Sequence, residues 1–191
     1  MAADLAVEPF ESQAAWEAWL AANGATAPGV WLKFARKGSG VPTVTYAQAV
    51  ESALCHGWID GQSKGLDATW YLQRFTPRRA RSRWSKINRD KAEALIAAGR
   101  MQPGGLAEVE RARADGRWEA AYDPPSKATV PDDLRTALDA DPVAAAAFAA
   151  LDAQNRYAVL HRVAEAKRPE TRARRIAGFV AMLAEGRRPH P

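Results

Sequence analysis

The segment Tyr122-Asp-Pro-Pro-Ser-Lys-Ala-Thr-Val-Pro131 constrains this chain more than any other stretch. Its prolines fix φ and remove backbone donors, so neither a helix nor a central strand runs through it. Before it, helical and strand-like patterns alternate. After it, nothing reads as a strand. The division predicts an α+β domain over residues 1–121, a Pro-rich linker over 122–130 and a helical C-terminal unit over 131–191. The fold class expected is α+β: a small antiparallel or mixed sheet with flanking helices, followed by an all-helical part.

In the first part, Ser12 to Asn23 reads as a helix, with Trp16, Trp19 and Leu20 on one face and Gly24 at its C-terminal cap. Gly29 to Ala35 alternates. Val30, Leu32 and Phe34 point one way and Trp31 and Lys33 the other, as in a strand with one face on a core. Thr45-Tyr-Ala-Gln48 has the form of a capping box, and a helix follows to about His56 with Tyr46, Val50, Ala53 and Leu54 on its apolar face. Trp58 to Gln62 and Ala68 to Phe75 read as an antiparallel hairpin joined by Ser63 to Asp67. A helical stripe then runs through Trp84, Ile87, Lys91, Ala94, Leu95 and Ala98, and a further helix spans Gly105 to Asp115.

In the second part, Pro131 opens one helix, and Asp141-Pro142 supplies an N-cap and a first-turn proline for an Ala-rich one. Asp152 to Ala166 and Pro169 to Glu185 read as two more. In the last, Ile176, Phe179, Val180 and Leu183 form the buried stripe.

Composition excludes several classes. With 47% hydrophobic and 26% charged residues in 191, the chain has enough apolar surface for a real core. One Cys excludes an internal disulfide framework, and one Cys with three His makes no structural zinc site, so no metal and no cofactor is expected. No apolar run reaches the length of a membrane span, and Met1 to Glu8 has no basic secretory n-region; the expectation is a soluble cytoplasmic protein with no membrane span. The net charge of +5 is unevenly spread. Residues 74–91 hold eight bases and one acid, and residues 162–188 hold eight bases and three acids. The remainder carries 11 bases against 18 acids, so it is acidic.

Long motifs carry a family resemblance. Ala53-Leu-Cys-His-Gly-Trp-Ile-Asp-Gly61 is continued by Trp70-Tyr-Leu-Gln-Arg-Phe-Thr-Pro-Arg78 and Arg81-Ser-Arg-Trp-Ser-Lys-Ile-Asn88. Ala166-Lys-Arg-Pro-Glu-Thr-Arg-Ala-Arg-Arg-Ile176, Pro125-Ser-Lys127 and the Tyr46 helix accompany them. Together, over about Trp16 to Leu183, they resemble the bacterial YdeI/OmpD-associated family, also labelled bacteriocin-protection proteins. His56 stands where that family usually has an aromatic residue. The resemblance implies an association with tolerance of bacteriocins and cationic antimicrobial peptides and with an outer-membrane porin. It brings no catalytic residue.

The first candidate site is an Arg/Trp-lined surface between Trp58 and Asn88. Its aromatic members are Trp58, Trp70, Tyr71, Phe75 and Trp84, and its cations are Lys64, Arg74, Arg78 and Arg81. Asp60, Thr76, Ser82 and Asn88 supply polar groups. Flat rings beside guanidinium forks suit a phosphorylated ligand or single-stranded nucleic acid. The alternative is that the Trp residues are core and the Arg residues a solvated rim. Asp60 reads as a partner for Arg74 or Lys64 across the hairpin. Cys55 beside His56 suggests a nucleophile, but adjacent helical residues point about 100° apart. The second candidate is a cationic cluster of His161, Lys167, Arg172 and Arg175, which serves either to clamp an anion or to dock the helical unit.

The function expected is that of a non-enzymatic stress or bacteriocin-resistance protein binding an anionic small molecule or protein partner. The alternatives are an enzyme for a phosphorylated or carboxylated substrate, built on Asp60, His56 and the Arg residues, and a weak nucleic-acid binder. Like charges repel, so a cationic surface does not sequester a cationic peptide. Any protection is therefore expected to be indirect.

Overall fold

A computed structural model describes residues 5–124 and 127–190. Pro125 and Ser126, which belong to the Pro-rich segment and to the motif Pro125-Ser-Lys127, lie outside the described residues. The chain divides into two compact units, Met1–Tyr122 and Asp123–Pro191.

The first unit is built on a four-stranded mixed sheet. Strands β1 (Val7–Pro9), β2 (Val30–Ala35), β3 (Trp58–Gly65) and β4 (Trp70–Pro77) lie in the order β1-β2-β4-β3. β1 pairs with β2 in parallel; the other pairings are antiparallel. The alternation from Val30 to Phe34 does what its period dictates: Val30, Leu32 and Phe34 are buried, while Trp31 and Lys33 are on the opposite face. The hairpin has a longer first strand, a second strand shifted by two residues and a tighter turn than the sequence suggests; Asp67 Oδ1 accepts the N–H groups of both Thr69 and Trp70 and closes the turn. β1 is absent from the sequence reading. Three residues ending in proline leave no periodicity to detect.

The first unit's helices are α1 (Gln13–Asn23), α2 (Tyr46–Cys55), α3 (Lys86–Ala97) and α4 (Pro103–Ala114). The capping box is formed: Thr45 Oγ1 accepts from Gln48 N at 3.3 Å, and Thr45 N donates to Gln48 Oε1 at 3.0 Å. Ser12 and Ser85 cap α1 and α3 through bonds from Ala15 N and Asn88 N. Two details differ from expectation. Gly24 ends α1 with φ −61°, not in the left-handed region. In α3 the buried positions are Ala92 and Leu95, whereas Ile87 is exposed; Trp84 precedes the helix and drops into the core. That core joins Trp16, Trp58, Phe34 and Phe75 to Trp84 and Trp118. Its indoles are stacked or edge-on to one another, as with Trp16 and Trp58 at 6.3 Å and Trp84 and Trp118 at 4.8 Å. Tyr122, read as the first linker residue, donates its N–H to Trp84 O and accepts from Lys86 N.

The second unit consists of α5 (Asp132–Asp139), α6 (Pro142–Ala149), α7 (Ala153–Ala164) and α8 (Pro169–Ala184). Asp141 caps α6 through Val143 N and Ala144 N, with Pro142 in the first turn. Leu134, Leu138, Phe148, Val159, Val163, Ile176 and Leu183 form its core. Arg172 ties three helices together. It forks onto Asp133 of α5 and donates Nη1 to Val163 O of α7 at 3.1 Å. The bond from Arg172 holds the Asp133 carboxyl below the usual carboxylate range. A carboxyl depressed in the folded state contributes stability above its unfolded pKa and loses it as pH falls through the folded value. Asp133→Asn is therefore expected to flatten the acid limb of the second unit's unfolding midpoint. An unchanged acid limb in denaturant melts from neutral pH to pH 3 would refute the pairing.

Candidate functional site

The sheet has two unlike faces. α1 and α2 join Val30, Leu32, Phe34 and Phe75 on one of them. Register places Trp31, Lys33, Trp70, Leu72, Arg74 and Lys64 on the other, because Trp31 pairs with Arg74, Lys33 with Leu72 and Lys64 with Leu72. The cations lie over the rings: Lys33 Nζ is 4.3 Å from the Trp70 centroid and Lys64 Nζ is 4.4 Å from that of Trp31. Lys64 thus reaches across β4 to β2. Leu72, flanked by the two lysine stems, is only 3% exposed although it lies outside the core clusters. Arg74 lies along Gly61, where an added side-chain carbon would come within 3.3 Å of Nε. Among the described strand residues this face carries three cations and no acid.

The candidate residues distribute themselves differently from the sequence reading. Lys64, Arg74 and Thr76 are on the outer face. Trp58 and Trp84 are each 1% exposed; they are core side chains, and Trp58 Nε1 donates to Gly24 O at 2.9 Å. Tyr71 stacks on Phe34 at 5.3 Å on the core side. Asp60 does not meet Arg74 or Lys64. It pairs in register with Phe75, one residue from Arg74 and so on the opposite face, and accepts from Tyr46 Oη at 2.7 Å. Partial burial, and then that bond, push the Tyr46 phenol up. Trp70, one of the candidate aromatics, is on the outer face; Trp31 and Lys33 were not among the candidates, although the alternation of β2 already set them away from the core.

Beyond β4 the chain turns through Arg78 to Trp84. Arg78 is 5% exposed, with Cζ 3.5 Å over the Trp84 ring and Nη1 donating to Arg83 O. Ser82 Oγ accepts from Arg79 N, and Ser82 O accepts from Arg117 Nη1 at 2.6 Å. Arg81 is exposed, and Asn88 donates its N–H to Ser85 at the start of α3.

Cys55 and His56 line a hollow of about 430 Å³ with Glu17, Arg100 and Gln102, apart from Asp60 and the candidate arginines. Burial pushes the Cys55 thiol up and the His56 imidazole down. Both shifts oppose a thiolate–imidazolium pair. In the second unit, Arg175 donates to Arg162 O and lies 3.9 Å from Glu165, which is also 3.9 Å from His161 Nδ1. Lys167 is exposed between α7 and α8. Arg172 and Arg175 hold their own unit together. Among the described residues no cluster of His, Cys, Asp and Glu is arranged to hold a metal, and no helix is long and apolar enough to cross a membrane.

Fold and face together define an α+β module with one open, cationic, aromatic sheet face, carried on the same chain as a four-helix module. The chain belongs to the family described as Domain of unknown function (DUF8412), whose model matches residues 8–108. Residues 127–186 match the family described as Bacteriocin-protection, YdeI or OmpD-Associated. The resemblance read over Trp16 to Leu183 is therefore carried by the helical module, while the motifs from Ala53 to Asn88 fall within the other family's span. No curated protein and no solved structure matches the chain.

Proposed function

We propose that the first unit is a non-enzymatic binding module for single-stranded nucleic acid, and that the protein acts in the cytoplasm, with any contribution to bacteriocin resistance indirect. The supporting observation is the pair of Trp rings on the outer sheet face, each beneath a lysine ammonium, with Arg74 paired beside Trp31 and no acid among the described strand residues of that face. A cation over an exposed ring contributes about 0.5–1 kcal/mol, whereas a stacked base contributes about 1–3 kcal/mol. A base therefore displaces the ammonium from the ring, and the released lysine, on its flexible stem, turns to the phosphate that arrives with the base. The same surface repels a cationic peptide, which favours an indirect role over sequestration.

Fluorescence anisotropy with a labelled oligothymidylate tests this. Three neutralised phosphates predict a log–log salt slope of about −2, from about −0.7 per phosphate on single strands. Trp31→Ala and Trp70→Ala are each expected to weaken binding by about 5- to 150-fold, the factor that about 1–3 kcal/mol of stacking represents. No binding by the wild type at low salt, or wild-type affinity in both variants, would overturn the reading.

A further inference from the structure

We propose that the turn from Arg78 to Trp84 covers a second, separate binding site, for one tetrahedral oxyanion of the phosphate class, held by Arg78, Trp84 and Arg117. The argument begins with hydrogen-bond accounting. Buried donors left without partners are costly, so native interiors satisfy nearly all of them. Here Arg78 Nε and Nη2, Trp84 Nε1 and Arg117 Nη2 have no hydrogen-bond partner among the described residues, and all four are shielded from solvent. Against four donors stands one unpartnered acceptor in this region, Glu108 Oε2, whose other oxygen takes Arg111 at 2.8 Å.

These groups belong to one constellation. Arg78 lies over Trp84, and Glu108, Tyr122, Arg117 and, more weakly, Asp60 are its charged or ionisable neighbours. Arg78 and Arg117 each hold one of two successive carbonyls in the turn, Arg83 O and Ser82 O. The turn is thereby fixed by one nitrogen of each guanidinium, while other nitrogens remain to bind.

Charge points to an anion. Asp115 is taken by Arg117 Nε and Glu108 by Arg111, while Arg79, Arg81 and Arg83 add exposed positive charge around the turn. Burial pulls the Arg78 guanidinium down to about 10, with the Glu108 charge pushing back, as for a cation that its surroundings compensate only in part. A neutral ligand would satisfy the donors and leave that charge uncompensated. Geometry favours phosphate over carboxylate. One planar carboxylate occupies the Nε/Nη2 fork of Arg78 and leaves the Trp84 and Arg117 donors open, whereas a tetrahedral oxyanion offers further oxygens to them.

The test is a titration of inorganic phosphate into the full chain at constant ionic strength. Melting temperature is read against chloride and acetate, and binding is read in parallel by phosphorus NMR. Phosphate is expected to raise the melting temperature where chloride and acetate do not. Arg78→Lys keeps the charge and loses the fork, and is expected to weaken phosphate binding by at least about tenfold. Trp84→Phe keeps the ring in the core and removes the indole N–H; it is expected to cost about tenfold, the scale of one hydrogen bond to a charged group. If phosphate shifts the melting temperature no more than chloride does, the donors are met by water and the proposal fails. An equal response to acetate overturns the phosphate class, and unchanged affinity in Trp84→Phe overturns the site.

Discussion

Trp58→Ala is expected to destabilise the first unit by about 3–5 kcal/mol, the range for removing a large aromatic from a core. The indole is almost fully buried, lies edge-on to Trp16 and Trp19 at 6.3 and 5.7 Å, and donates to Gly24 O. Domain stabilities of about 5–15 kcal/mol leave little after such a loss. Trp58→Phe keeps most of the packing and gives up the hydrogen bond, so it is expected to cost about 1–2 kcal/mol. Urea melts of the full chain measure both. The outcome also separates the two roles open to this residue: a ligand-facing Trp on a surface could be removed within about 0.5 kcal/mol. A midpoint that does not move in Trp58→Ala would return it to the ligand surface.

Gly105→Ala is expected to be nearly as damaging, for a different reason. The C-terminal end of α2 abuts the first turn of α4, where Gln102 N donates to Cys55 O at 3.0 Å. A side-chain carbon on Gly105 would come within 2.3 Å of Cys55 O and 2.7 Å of Met101 Cε. Gly57, at φ 76°, similarly faces Gly104 O, so the junction is built from close backbone approach. The backbone has nowhere to yield without parting the helices, and the expected cost is about 3 kcal/mol, the upper end for overpacking. Gly178→Ala in α8 is the counterpart. A carbon there meets nothing within 4 Å, and helix propensity alone predicts a gain of about 0.5–1 kcal/mol. Midpoints that moved in the same direction for both alanines would refute the junction.

The legible parts of the fold were those where one local rule acts alone. The alternation of Val30 to Phe34, the Thr45–Gln48 box and the Asp141-Pro142 start each specify their element within a few residues, and each is formed. The candidate face was harder because the covered side of a sheet is a tertiary fact. Trp58 and Trp31 look alike in sequence; register and the helices on one side bury the first and leave the second half-buried on the outer face. Within β3, the irregularity between Asp60 and Ser63 shifts the alternation, so Lys64 ends on the outer face while Asp60 stays on the inner one. The Asp60–Arg74 pair failed for the same reason, since neighbouring strand residues point to opposite sides. The Arg78 turn carried a compositional signal of arginine among aromatics. That Arg78 is buried on Trp84 depends on α4 and on Arg117, far along the chain.

The sheet order has one more consequence. Its two rims are β1, three residues ending in Pro9, and β3, irregular at Asp60–Ser63 and carrying Lys64. A short rim closed by proline and an irregular, charged rim are both poor templates for an incoming strand. The molecule is thereby protected against edge-to-edge aggregation and against capture of extended peptides by strand addition. On the binding role proposed above, a partner of the first unit would meet the broad side of the sheet, through rings and charges instead of backbone pairing.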